Sequence, residues 1–145
     1  KPVDLRLVRR DRHGDFTTNL MDPKREHVWF SAVHPRLGLP VAYIWRRADF
    51  PWLGMWEENR ARKTPPWNGK SLARGMEFSN TPFPLGLRGA VDLGRFQGLP
   101  TFRWLPARSR LTFEYAILAA AVEKGCRGVA DIRPQGRTFS LDLAY

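Results

Sequence analysis

Residues 52–84 constrain the fold of this chain more than any other stretch. They hold three of the six tryptophans, three of the six glutamates and four prolines. A segment so rich in Pro, Gly and Asn cannot form one long helix, yet it is too aromatic for a flexible linker. We therefore expect it to form an ordered binding surface.

The side chains of this segment predict a ligand class. Flat aromatic faces stack on the C–H faces of a sugar ring, while carboxylates and amides bond its hydroxyls. Sugar is therefore the first ligand to consider. The alternative is that the tryptophans fill a core and the charges face water, and for any single tryptophan both interpretations stay open. Three tryptophans within sixteen residues argue against the interpretation that all of them fill a core.

Length and composition predict one domain covering residues 1–145, because a chain of this size buries enough surface for one core and too little for two. The 43% hydrophobic content excludes global disorder, and no apolar run reaches the length of a membrane span. The lone Cys126 excludes an internal disulfide and favours a reducing compartment such as the cytoplasm. A start at Lys1 rather than Met predicts a processed product or a fragment.

The net charge of +10 would suit a polyanion such as nucleic acid. The basic residues are scattered, however, and the longest groups are pairs such as Arg9-Arg10, Lys24-Arg25 and Arg46-Arg47. A basic nucleic-acid-binding domain is therefore the less favoured alternative. The widely spaced histidines and the absence of known ligand motifs predict no metal and no cofactor.

Hydrophobic periodicity predicts an all-β fold, an antiparallel sandwich or barrel. A helix is the alternative for residues 116–122, which are rich in alanine. Residues 85–100 contain several glycines and predict a surface excursion. The predicted strands cover residues 3–9, 16–20, 28–33, 41–45, 74–78, 111–117 and 139–143, with the third and fourth forming a hairpin.

Glu77 is the candidate catalytic residue because it interrupts an apolar, strand-like run. Alternation places it on one face with Gly75 and Ser79, whose small side chains leave room for a ligand. That position suits a general base. A strand glutamate paired with an arginine on a solvated face explains the pattern equally well. The candidate binding residues around it are Arg74, Asn80, Trp56, Trp67 and Glu58.

Residues 74–84, RGMEFSNTPFP, resemble the C-terminal part of the aldose 1-epimerase, or galactose mutarotase-like, superfamily. A strand glutamate followed by Phe-Pro, a loop and a turn at residues 105–110 leading into a strand is similar to the order of elements in that superfamily. Residues 50–59 and 66–69 look like an uncharacterised branch of it. The resemblance covers residues 41–122.

The resemblance implies part of a β-supersandwich with a sugar groove across one sheet. It implies that Glu77 removes the anomeric proton while an acid protonates the ring oxygen, which interconverts the anomers of an aldose or sugar phosphate. Neither His27 nor His34 lies in a matching context, so the acid is not identified. The chain is then either the C-terminal portion of a larger enzyme or a shortened relative that binds sugar without turnover, a non-catalytic carbohydrate-binding module. Exposed sheet edges would favour self-association or pairing with a missing N-terminal half.

Overall fold

Ten β-strands and one short helix are formed by residues 4–145, the part of the chain that the computed structural model describes. The six pairings between these strands are all antiparallel, which confirms the predicted all-β class. In chain order the elements are β1 (His13–Leu20), β2 (His27–His34), β3 (Leu39–Arg46), β4 (Trp52–Asn59), β5 (Leu72–Ser79), α1 (Gly86–Leu93), β6 (Arg95–Phe96), β7 (Leu99–Pro100), β8 (Tyr115–Ala119), β9 (Gly128–Gln135) and β10 (Thr138–Ala144).

The chain divides into two compact units. Unit 1 contains the residues up to Leu20 together with Trp52–Arg103, and unit 2 contains Met21–Pro51 and Trp104–Tyr145. Each unit has its own three-stranded sheet, in the order β1-β4-β5 in unit 1 and β2-β3-β8 in unit 2.

The unit 1 sheet presents two chemically different faces. Because side chains alternate along a strand, register partners share a face and next neighbours do not. Face A carries Phe16, Gly54, Trp56, Glu58, Gly75 and Glu77, and face B carries His13, Glu57 and Arg74. The central strand β4 is almost entirely buried because strands flank it on both sides.

Residues 80–103 complete unit 1 with α1 and the β6–β7 ladder. The buried hydroxyl of Thr101 donates to the Ala90 carbonyl at 2.6 Å, and the Phe96 ring lies 5.6 Å from the Trp52 ring. Most of residues 85–100 are exposed, as expected for a surface excursion, but the segment forms a helix and a short ladder, and Phe96 anchors it on Trp52. No helix within residues 4–145 is long and apolar enough to span a membrane.

In unit 2, the sheet packs against the β9–β10 hairpin. Ala42 and Ile44 of β3 form a buried core with Val129 and Ile132 of β9. Pairing of β2 with β3 confirms the predicted hairpin. Its β-branched and aromatic residues suit a pleated, half-buried surface.

Two expectations about local structure fail, and one alternative is excluded. Residues 4–9 form no strand, because the Leu5 and Leu7 carbonyls accept hydrogen bonds from the Arg74 guanidinium instead; Val3 lies outside the described residues. The strand predicted to start at residue 111 begins only at Tyr115, where pairing with Trp45 of β3 begins. The helix considered for residues 116–122 is absent, since residues 115–119 are in a strand whose alternate side chains face the core.

Candidate functional site

Gly75 forms the floor of a notch on face A between an aromatic ring and a carboxylate. A Cβ atom placed on Gly75 would lie 3.4 Å from Oε1 of Glu77 and 3.4 Å from Cε3 of Trp56. The φ of Gly75 lies outside the left-handed region, so the backbone does not require glycine there. The missing side chain instead leaves space between the exposed Glu77 carboxylate and the half-buried Trp56 indole. We call this space the Gly75 notch.

A second glycine brings another aromatic ring close to Glu77. Gly54 is the register partner of Glu77, and a Cβ atom on it would lie 2.5 Å from Cζ of Phe16. The Phe16 ring therefore lies directly over Gly54 and excludes any side chain there. Glu77 therefore lies near two aromatic rings. The Phe16 ring covers Gly54, the residue opposite Glu77 on β4, and the Trp56 ring borders the Gly75 notch.

Trp56 and Trp67 meet in a cluster that also contains Arg62. The two indole rings lie 5.6 Å apart at an angle of 58°, and the Arg62 Cζ lies 5.5 Å from the Trp56 centroid and 5.2 Å from the Trp67 centroid. These distances are those of cation–π contacts. Part of the ring surface that the sequence predicts for sugar stacking is therefore covered by a guanidinium group.

The loop between β4 and β5 positions Trp67 for this contact. Three backbone hydrogen bonds fold it back on itself, from Arg60 to Ser71 at 2.8 Å, from Gly69 to Arg62 at 2.8 Å and from Trp67 to Thr64 at 3.0 Å. Because the ends of the loop are tied by β-strand pairing, Trp67 is held beside Trp56 although eleven positions separate them.

Glu58 is fully buried beneath this loop. Its Oε1 accepts a hydrogen bond from the Arg62 backbone N–H at 2.9 Å. Its Oε2 lies 3.5 Å from Nε of Arg62 and has no hydrogen-bond partner within residues 4–145. A carboxylate with no exposed surface does not contact a ligand directly, so Glu58 positions Arg62 and the loop rather than binding sugar.

Arg74 lies on face B and is fully engaged there. Its Nε donates to Oε1 of Glu57 at 2.7 Å, while its terminal nitrogens donate to the carbonyls of Leu5 at 2.9 Å and Leu7 at 3.1 Å. The structure therefore separates Arg74 from Glu77. Arg74 holds the N-terminal segment against the sheet.

His13 completes the ion-pair cluster on face B. Its Nδ1 lies 2.9 Å from the Asp11 carbonyl and its Nε2 lies 3.1 Å from Oε2 of Glu57. Both partners are acceptors, so hydrogen bonding to Asp11 and then to Glu57 raises the pKa of His13. Burial raises the pKa of Glu57, but the bonds from Arg74 and His13 outweigh it and leave that pKa below its ordinary value.

Asn80 lies just beyond the end of β5. It lines a cleft of about 360 Å³ in unit 1 together with Leu87, Phe102 and Arg103. Asn80 is close to Glu77 in the sequence. In the structure, however, it lines a separate cleft next to α1.

The histidines do not provide an obvious acid for Glu77. His13 is bonded to Glu57 on the opposite face of the sheet, and His27 and His34 belong to β2 of unit 2. Within residues 4–145, no three His, Cys, Asp or Glu side chains are grouped so as to hold a metal ion.

No family model, curated protein or solved structure matches this chain.

Sequence reasoning missed the two residues that shape the site most, Arg62 and Gly54. The sequence carries a signal for Gly54, because it is a small residue in an otherwise bulky run, WLGMWEE. No comparable signal marks Arg62, since its contact with two tryptophans arises only when the β4–β5 loop folds back.

Proposed function

We propose that unit 1 binds a carbohydrate at the Gly75 notch on face A. The observation that carries this proposal is the space at Gly75, bounded by the Trp56 indole on one side and the Glu77 carboxylate on the other. An aromatic edge and an acceptor-only carboxylate around a small gap suit a ligand with apolar C–H groups and hydroxyl donors.

Glu77 supplies the specific polar contact in this arrangement. The sheet fixes the backbone of Glu77, and the two oxygens of its exposed carboxylate can accept hydrogen bonds from neighbouring hydroxyls of one sugar. A hydrogen bond to a charged group contributes about 1.5–3 kcal/mol. Affinity should therefore depend on the Glu77 charge.

We further propose that Glu77 acts as the base in anomer interconversion, as the resemblance to aldose 1-epimerases implies. Glu77 takes the proton of the anomeric hydroxyl, the electron pair forms the carbonyl, and the bond from C1 to the ring oxygen breaks as water protonates that oxygen. Rotation about C1–C2 and the reverse steps give the other anomer. The β-supersandwich architecture is part of this proposal.

Tryptophan fluorescence and an anomer-exchange assay test the proposal together. We expect aldoses to change the fluorescence saturably in the wild-type protein and Glu77→Gln to weaken that binding about tenfold. Anomer exchange should be accelerated by the wild type and lost in Glu77→Gln. Glu123→Gln, a change at an exposed glutamate of unit 2, is the matched control and should behave as the wild type.

Two results separate the alternatives. Sugar binding that depends on Glu77 without any acceleration of anomer exchange identifies a non-catalytic carbohydrate-binding module. A fluorescence signal that no aldose changes contradicts the carbohydrate proposal as a whole.

A further inference from the structure

We infer that Arg62 forms an anion subsite beside the Gly75 notch, so that the ligand is an acidic carbohydrate bearing a phosphate or carboxylate group. This inference rests on the proposed carbohydrate function and specifies its ligand class. It assigns a binding role to a residue that the sequence analysis did not select.

The Arg62 guanidinium is held in place but leaves donors available. Its ring contacts with Trp56 and Trp67 and its Nε contact with Glu58 fix the plane of the group. Within residues 4–145, its two terminal nitrogens donate no hydrogen bond, and its ion-pair contact with Glu58 is through Nε. The side chain is 51% exposed, so a ligand can reach it, and a planar guanidinium group binds carboxylate and phosphate in a bidentate manner.

The charge of the surrounding loop favours an anion. Residues 60–70 contain two arginines and two lysines and no acidic residue. Lys63 and Lys70 are exposed, and Nε of Arg12 donates to the Arg60 carbonyl at 2.6 Å, which brings a fifth basic side chain to the loop. The acidic partner of Arg62, Glu58, has no exposed surface, so an incoming anion does not contact its carboxylate.

Trp56 connects this subsite to the notch. The same indole contacts the Arg62 guanidinium and borders the gap at Gly75. A sugar lying against Trp56 therefore has Glu77 at one end and Arg62 at the other. Because Glu77 repels an anionic group and accepts from hydroxyls, the acidic substituent is directed to Arg62 and the hydroxyls to Glu77.

The alternative structural role of Arg62 is to cap two tryptophans and neutralise Glu58. That role alone predicts lower stability on substitution but no change in the preference between neutral and acidic ligands. Ligand preference is therefore the measurement that separates the two roles.

Calorimetric titration at low salt tests the inference with glucose, glucuronate, glucose 6-phosphate and inorganic phosphate. We expect each acidic sugar to bind the wild type about tenfold more tightly than glucose. Arg62→Gln should weaken the binding of acidic sugars more than that of glucose, so that the ratio of the two affinities falls to about one. Arg62→Lys keeps the charge without the planar fork and should retain only part of the preference.

Arg88→Gln provides the matched control, since Arg88 is an exposed arginine of the same unit, on α1. It should leave the affinities for all four ligands unchanged. A cooperative unfolding transition in urea shows that a variant is folded. If Arg62→Gln does not fold, Arg62→Lys still tests the inference.

Three results overturn the inference. Glucose binding without any gain from an acidic group overturns it and leaves the carbohydrate proposal intact. Inorganic phosphate that binds as tightly as glucose 6-phosphate shows a free anion site instead. Absence of binding by any sugar overturns both this inference and the proposed function.

Discussion

Arg74 and Glu77, three positions apart on β5, lie on opposite faces of the unit 1 sheet. Arg74 is bonded to Glu57 and to the N-terminal segment on face B, whereas Glu77 is exposed beside Gly75 and Trp56 on face A. One strand therefore separates a structural charge cluster from a candidate binding surface, and substitutions at these two positions should affect different properties.

Arg74→Ala should lower the free energy of unfolding by about 3 kcal/mol or more, because it leaves the buried Glu57 carboxylate without its main partner. Glu77→Gln should change that free energy by less than about 0.5 kcal/mol, since Glu77 is exposed. Urea unfolding of both variants measures the difference. Equal losses of stability would contradict the assignment of the two residues to separate roles.

The His13–Glu57 pair predicts how stability depends on pH. The lowered pKa of Glu57 contributes stability that is complete above its ordinary value of 4.5 and is lost as the pH falls through the folded-state pKa. The raised pKa of His13 contributes stability that is complete below its ordinary value of 6.5 and is lost as the pH rises through the folded-state pKa. Their joint contribution is therefore greatest between pH 4.5 and 6.5.

Thermal unfolding from pH 4 to pH 9 checks this dependence. The wild-type Tm should decline above pH 6.5 relative to His13→Gln, whose side chain does not titrate. The matched variant His34→Gln, at an exposed histidine of β2, should keep the wild-type profile. A His13→Gln profile that declines as steeply as the wild type would contradict the charged His13–Glu57 pair.

Glu58→Ala should loosen the β4–β5 loop. The substitution removes the acceptor for the Arg62 N–H and leaves a cavity beneath the loop, at a combined cost of about 2 kcal/mol or more. Hydrogen exchange should accelerate most at two amides that close the loop. The Arg62 amide donates to Glu58, and the Gly69 amide donates to the Arg62 carbonyl. Exchange that changes evenly over unit 1 would show that Glu58 does not act on the loop.

Salt dependence separates sugar binding from a nucleic-acid function. A protein that contacts several phosphates loses affinity steeply as salt rises. The logarithm of its binding constant falls against the logarithm of the salt concentration with a slope of about −0.9 for each phosphate neutralised. We expect affinity for glucose to be nearly independent of salt and oligonucleotide binding to be weak at 150 mM salt, about the ionic strength of a cell. A tight oligonucleotide complex with a steep slope would support the basic-domain alternative.

The sequence predicts the strands whose patterns are locally consistent. Alternation identifies β5 and β10, and turn residues around position 38 identify the β2–β3 hairpin. The same alternation that groups Glu77 with Gly75 also places Arg74 on the other face, so the separation of Arg74 was available from the sequence.

The remaining features depend on tertiary pairing. Helix α1 has two glycines in eight residues, which hides its helical pattern, and it forms against Thr101, eleven positions beyond Ala90 in the sequence. The contact of Arg62 with Trp56 and Trp67 depends on how the β4–β5 loop closes. Neither contact is encoded by local sequence propensity. Only the part of the candidate site that lies on β5 could therefore be predicted from the sequence.

The most direct test of the Gly75 notch is to fill it. Gly75→Ala places a methyl group 3.4 Å from both Trp56 and Glu77 without backbone strain, so the variant should be at least as stable as the wild type while occupying the proposed ligand space. Gly128→Ala, at a strand glycine of unit 2 where an added Cβ would have no atom within 4 Å, is the control. Calorimetric titration with the best-binding sugar should show at least tenfold weaker affinity in Gly75→Ala and wild-type affinity in Gly128→Ala. Undiminished sugar affinity in a folded Gly75→Ala variant would contradict the assignment of the ligand to this notch.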